Sequence, residues 1–401
     1  MLSFPFPAAP ALDLEPEYRR LQREEPVCRV RFPHGEPAWL VTRHADARTV
    51  LSDARFSRAE SLRRDVPRTT EVNFAGGIVA MDPPEHTRLR ATCGQAFTAR
   101  PVARLRESAE ALARELLAGC GESFDAVADF AVPYTLRMIC ALLGVPYTDS
   151  DRFRGWAEAG LATTAITEAE RVEATTRMWD YIADLVARRK REPADDLVSA
   201  MTAAQSAGIS SGISSNISSN ITDEELVVVV MTALVAGYET TSTQLPNFLY
   251  LLLSEPGLWE RLVARPALVG TAVEELLRFT PLEANGASPR YATVDLELGG
   301  VAIAAGEPVV AATVAANRDP RVFTHPDRID LARDPNPHLA FGRGPHFCLG
   351  APLARLELRA ALSVLAETRP GLRLGPAEPE WKAGMLVRGP LALRLDSGRV
   401  R

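Results

Sequence analysis

The chain has 401 residues, 46% hydrophobic and 24% charged, with a formal net charge of −6. This is the composition of an ordinary globular protein, and its acidic balance leaves no basic footprint for nucleic acid. The five cysteines are odd in number, far apart and without a CxxC pair, which argues against a disulfide framework or zinc knuckle and for a reduced, cytoplasmic setting.

In chain order, the opening MLSFPFPAAPALDLEPEYRR lacks a basic n-region and is broken by prolines, so neither a secretory signal nor a membrane anchor is expected. Residues 27–43 read as a hairpin turning at His34-Gly35. Apolar residues at three-to-four spacing predict helices over 101–120 and 172–191, the second ending in a basic turn that suits a helix C-terminus. ISSGISSNISSN at 209–220 repeats a four-residue unit and predicts a flexible surface loop over 205–221. Its GISSG matches the GxSxG of serine hydrolases but lacks the strand that must precede such an elbow. Thr222 with Glu225 forms a capping box that opens a long helix over 223–253, roughly 46 Å if continuous. Its apolar run at 226–237 falls short of the roughly 18 residues of a membrane span.

Residues 294–313 read as three short strands joined by glycine turns, 319–337 as an irregular meander, 351–370 as a helix with Pro352 in its first turn, and 389–396 as an alternating strand. The expected fold is mainly α with small β-sheets near 27–43, 290–313 and 385–397. No interior linker marks a cut, so a single domain over 1–401 is expected, as a monomer.

The chemistry centres on HLAFGRGPHFCLG, residues 338–350. A lone cysteine is ordinarily a small buried hydrophobe. Here Gly344 and Gly350 permit tight turns and the close approach of a flat partner, and a predicted helix begins just beyond Cys348, where its N-terminus would stabilise a thiolate. A thiolate with no neighbouring metal-ligand residue suits a metal whose other ligands are not protein; haem is that case, with four porphyrin nitrogens and one axial bond. The spacing F-x-x-G-x-x-x-C-x-G, filled by Phe341, Gly344, Cys348 and Gly350, resembles the haem-binding signature of the cytochrome P450 family.

Three further stretches carry the same resemblance, so that it extends from His86 to Gly350. AGYETT at 236–241 is similar to the family's oxygen-activating helix motif, with Ala236 and Gly237 beside the haem, Gly237 opening a groove in the helix, and Glu239 and Thr240 as an acid and a hydroxyl that deliver protons through ordered water. EELLR at 274–278 places Glu275 and Arg278 one turn apart, and with Arg328 of HPDRID it resembles the family's buried triad, although Ile329 stands where phenylalanine is common. DPPEHTRLR at 82–90 holds His86 and Arg90, which with Arg290 and His346 resemble the family's propionate clamp.

The resemblance implies the cytochrome P450 fold, haem b (iron protoporphyrin IX) ligated by Cys348, and a monooxygenase. Its reaction would insert one atom of O2 into a C–H bond (hydroxylation) or a C=C bond (epoxidation). It also implies a ferredoxin and ferredoxin reductase carrying NAD(P)H electrons, with docking near Arg343. Substrate contacts by analogy are Phe74, Ile78, Val235, Asn285, Gly286, Met385 and Leu386. Their small or apolar character suits a mostly apolar polyketide, macrolide or terpenoid of an antibiotic-type pathway. A coupling enzyme, a peroxygenase and a non-catalytic haem sensor remain open alternatives; the intact Glu239–Thr240 pair favours the monooxygenase.

Overall fold

The computed structural model describes residues 1–69, 71, 76–94, 102–161, 166–206, 221–283, 289–383 and 385–397. They divide into two compact units built from interleaved segments. The first takes Met1–Asp82, Gly270–Cys348 and Leu386–Arg388; the second takes Pro83–Val269, Leu349–Met385 and Gly389–Arg401. The strands in chain order are β1 (Leu2–Ser3), β2 (Val27–Arg31), β3 (Ala38–Val41), β4 (Phe56–Ser57), β5 (Ser123–Asp125), β6 (Arg290–Ala292), β7 (Leu296–Leu298), β8 (Val301–Ile303), β9 (Pro308–Ala311), β10 (Arg373–Leu374) and β11 (Arg394–Asp396).

The first unit is organised by a six-stranded sheet of order β1-β2-β3-β9-β6-β4. The expected hairpin is present: β2 and β3 pair antiparallel with Val27 opposite Val41 and Val30 opposite Ala38. β9 joins β3 in parallel, so the early and late strands share one sheet. The period of two along these strands divides the core. Cys28, Val30, Leu40 and Val310 pack with Phe4, Phe6, Tyr18 and Phe32. Val27, Val41, Val309 and Ala311 pack with Val50, Phe56 and Leu339. Cys28 is therefore a core residue, its thiol pushed up to about 12 by burial.

The second unit is helical. Helices Arg106–Gly119, Val132–Leu143, Glu168–Arg191, Asp223–Ser254 and Ala351–Thr368 pack through buried Leu117, Ile139, Ile182, Leu234, Phe248, Leu249, Leu362 and Leu365. The central helix is apolar on most of its circumference because its neighbours surround it. Its start is the expected capping box: Thr222 N donates to Glu225 Oε2 at 2.9 Å and Glu225 N to Thr222 Oγ1 at 3.2 Å. Thr167 and Glu170 do the same for Glu168–Arg191, which begins four residues before the predicted start.

Three expectations change. The late alternating segment forms a strand only at Arg394–Asp396, and this β11 pairs with β10 and β5; before it, Trp381 and Pro390 form an isolated antiparallel bridge. By length and composition, Ala126–Leu143 and Asp223–Ser254 do reach membrane-span size, a count the uninterrupted-run criterion missed. Most residues of both are buried within the unit, and the second buries Glu239, Thr241, Ser242, Gln244 and Asn247, so both are core helices here. The ISSN repeat lies outside the described residues. Of the expected loop, Gln205 and Ser206 end helix Leu197–Ser206, and Gln205 Nε2 donates to Ile221 O at 2.7 Å across the repeat's flanks.

Candidate active site

Cys348 is exposed, unlike the buried Cys28 and Cys140. Its loop is set by short-range hydrogen bonds: Cys348 N donates to Phe341 O at 2.9 Å, Phe347 N to Gly344 O at 3.0 Å and Gly342 N to Leu339 O at 2.9 Å. Gly344 has φ +72°, and a Cβ there would stand 2.7 Å from Leu51 O and Ser52 Cα, so the turn lies directly on the end of helix His44–Ser52 and admits only glycine. The loop thus presents a thiol on a rigid, side-chain-poor backbone. Helix Ala351–Thr368 begins three residues further along the chain, with Pro352 in its first turn.

The meander before this loop is anchored on Glu275, which is fully buried. Arg278 forks onto it, Nε to Oε2 and Nη2 to Oε1, both at 2.8 Å. Asp330 N donates to Oε1 at 2.9 Å, and Asn336 Nδ2 to Oε2 at 3.2 Å. The second arginine is not the expected Arg328. Arg333 Nε donates to Glu275 Oε2 at 2.8 Å, while the exposed Arg328 contributes its carbonyl, which accepts from Arg278 Nη2 at 3.3 Å. The turn at 328–333 brings the later arginine back to the carboxylate. Arg278 also donates to Asn317 O at 2.8 Å, and Asn317 Oδ1 accepts from Leu339 N at 2.6 Å. Glu275 therefore reaches the cysteine loop through three hydrogen-bonded links, by way of Arg278 and Asn317.

Arg290, on β6, is buried, and its pKa is drawn down to about 10 by burial and by the like charge of Arg58. The neighbouring Asp82 is already committed to Ser57 Oγ, Arg58 N and Ala59 N. Asp82 and Glu283 are the carboxylates that act on Arg58, and Asp82 also acts on Arg290. Among the described residues no three His, Cys, Asp or Glu side chains gather as a metal-ligand set, so a metal on Cys348 brings its other ligands with it. A thiol on a rigid, glycine-rich loop and a buried arginine fit an anionic macrocyclic metal complex, and haem with its propionates is such a group. His346 is half-buried on the Gly344–His346 turn of the same unit. His86 and Arg90 belong to the second unit, one turn apart on helix Glu85–Gly94, His86 buried and Arg90 half-buried.

On the central helix, Thr240 Oγ1 donates to Ala236 O at 2.7 Å. Glu239 is 3% exposed, and its Oε1 accepts from Lys382 Nζ at 2.7 Å. The helix is continuous from Asp223 to Ser254. A Cβ at Gly237 would lie 2.8 Å from Ile139 Cδ1, so the glycine also lets helix Val132–Leu143 pack close. Lys382 and Arg333 were not picked out from the sequence. The carboxylate partner of each is distant along the chain, and only the abundance of arginine against two lysines hints that Lys382 is special. Ile78, Val235, Met385 and Leu386 are all half-buried; Phe74, Asn285 and Gly286 lie outside the described residues.

A model of the cytochrome P450 family matches residues 163–264 and 267–367. The chain is 49% identical over 396 residues to a mycinamicin IV hydroxylase/epoxidase of Micromonospora griseorubida, covering 98% of this chain and 97% of that protein. It is 48% identical to a nocardicin C N-oxygenase of Nocardia uniformis subsp. tsuyamanensis, with the same coverage. Among solved structures, the LnmA cytochrome P450 hydroxylase from the leinamycin pathway of Streptomyces atroolivaceus superposes with a TM-score of 0.91 at 45% identity, over 99% of this chain and all of that one. This chain therefore belongs to the cytochrome P450 family, as a haem-dependent monooxygenase.

Proposed function

We propose that the protein hydroxylates or epoxidises a mostly apolar natural product of macrolide or other polyketide type, as a cytoplasmic tailoring enzyme fed by a ferredoxin and its NAD(P)H-dependent reductase. The observation that carries the substrate class is the near full-length, 49% identity to an enzyme named for mycinamicin IV. The 48% identity to an N-oxygenase favours a second reading, oxygenation at an amine nitrogen.

The haem, when bound, supplies oxygen activation, and a thiolate ligand favours O–O cleavage. In this proposal Cys348 is that ligand. Phe341, Gly344 and Gly350 shape its loop, and Ala236 and Gly237 line the helix beside the ring. His86, Arg90, Arg290 and His346 hold the two propionates by charge-assisted hydrogen bonds. Glu239 passes protons from solvent, and Thr240 orients the last water; its hydroxyl proton lies on Ala236 O at rest, leaving the lone pairs to accept. Ile78, Val235, Met385 and Leu386 offer the substrate apolar contact, with Phe74, Asn285 and Gly286 from neighbouring segments.

The test has two parts. Reduced protein under carbon monoxide should show the long-wavelength band of a thiolate-ligated haem, and Cys348→Ser should lose it; a retained band would sink the ligand assignment. Titration with macrolides and with amine-bearing polyketides should shift the Soret band for one class, followed by an 18O-labelled product under labelled dioxygen. A spectral shift without product would point instead to a binder.

A further inference from the structure

We propose that Lys382 is the positioning residue of the proton relay: its ammonium holds Glu239 ionised and in one orientation. The inference rests on the reading that Glu239 passes protons. Lys382 Nζ donates to Glu239 Oε1 at 2.7 Å and to Thr243 Oγ1, one helical turn further along, at 2.9 Å. The side chains of Lys382 and Glu239 are 13% and 4% exposed, so the contact is shielded from screening. A carboxylate this buried is stable only with a partner of opposite charge. The chain has two lysines among 45 basic residues, and the compact ammonium, with three donors, can serve the carboxylate and the hydroxyl at once where a planar guanidinium would not.

The segment that carries Lys382 is docked on the same helix on both sides of the contact. Trp381 meets Tyr250 edge-on with ring centroids 5.1 Å apart, and Lys382 N donates to Gly389 O at 2.9 Å. A Cβ at Gly389 would stand 2.3 Å from Thr243 Cγ2, so Gly389 lies directly on the helix. The other charged or titratable groups that act on Glu239 are Glu158, on helix Ser150–Leu161, and Tyr238 on its own helix; Arg154 faces Glu158 at 3.8 Å. Among these cations Lys382 alone bonds Glu239 directly. In each passage Glu239 gains one proton from solvent and gives one up, while Lys382 keeps its own throughout.

The test uses the haem-loaded, full-length protein. Lys382→Met keeps the length and removes the charge; Lys382→Arg restores a charge. Difference infrared spectra at neutral pH should show a new carboxylic-acid C=O band in K382M relative to the parent. The band should be missing from K382R and abolished when Glu239→Gln is added to K382M. In parallel, hydrogen peroxide formed per NADH consumed is measured with mycinamicin IV as the probe substrate. K382M should release several-fold more peroxide than the parent. K382M with no new band overturns this proposal and leaves the relay standing. E239Q with unchanged peroxide yield overturns the relay itself, and the role of Lys382 in it. Matching thermal midpoints for K382M and the parent exclude a folding defect as the cause.

Discussion

Glu275 shows what one buried carboxylate can organise. It accepts from two arginines, a backbone N–H and an asparagine, and so fixes the chain from Asp330 to Asn336 just before the cysteine loop. Removing the carboxylate leaves two guanidiniums without a counter-charge, so Glu275→Gln should cost about 3–5 kcal/mol. Arg333→Met removes the charged hydrogen bond to Glu275 together with those to Thr324 O and Arg328 O, and should cost at least about 1.5–3 kcal/mol. Arg328→Met touches only an exposed side chain and should stay within about 0.5 kcal/mol. Denaturant midpoints and haem retention decide between the two arginines; a larger loss for Arg328→Met would reverse the assignment. The Glu275–Arg278 fork was legible because a spacing of three on a helix sets neighbours by geometry alone. The second arginine was not, because Arg328 and Arg333 sit in an irregular meander, where the turns rather than the spacing decide which side chain returns.

Elements were legible in proportion to how local their causes are. The capping box at Thr222–Glu225 spans four residues and could be read directly, as could the apolar run that buries the central helix and the alternation of the hairpin strands. The role of Gly237 could not, because Ile139 is about a hundred positions away and sequence offers no sign of their approach. Lys382 is farther still, 143 residues from the carboxylate it holds. The close approach of the two helices makes a prediction of its own. Gly237→Ala gains about 1 kcal/mol of helix propensity against a contact with a flexible methyl, and should be near neutral. Gly237→Val should cost about 1–3 kcal/mol by overpacking. Ile139→Ala in the same chain should recover part of that loss, with a coupling energy above about 0.5 kcal/mol in a double-mutant cycle. Additive effects would show that the two residues do not meet.

For the whole molecule, stability against pH is a competition between carboxyls shifted in opposite directions. Glu225 lies below its ordinary value because Arg88 donates to it, at 3.0 Å through Nη1, and Thr222 N adds to this. Its contribution is full above about 4.5, the unfolded value, and is lost as pH falls through the lower folded value. Arg88→Met should therefore flatten the acid limb of the unfolding curve below about 4.5 as well as lower the plateau. Glu357, on helix Ala351–Thr368, is buried and held neutral by desolvation, well above its ordinary value. The folded chain binds this proton where the unfolded chain has released it, so stability declines as pH rises from about 4.5 until the folded carboxyl ionises. Glu357→Gln keeps the shape and removes the proton. The stability of this variant relative to the parent should then rise by about 1.4 kcal/mol per pH unit across that window, and level off above it. Denaturant midpoints taken at intervals from acid to neutral pH measure both slopes. A parallel offset between Glu357→Gln and the parent would mean that Glu357 is ionised in the folded protein, and that a cation within the helical unit compensates its burial.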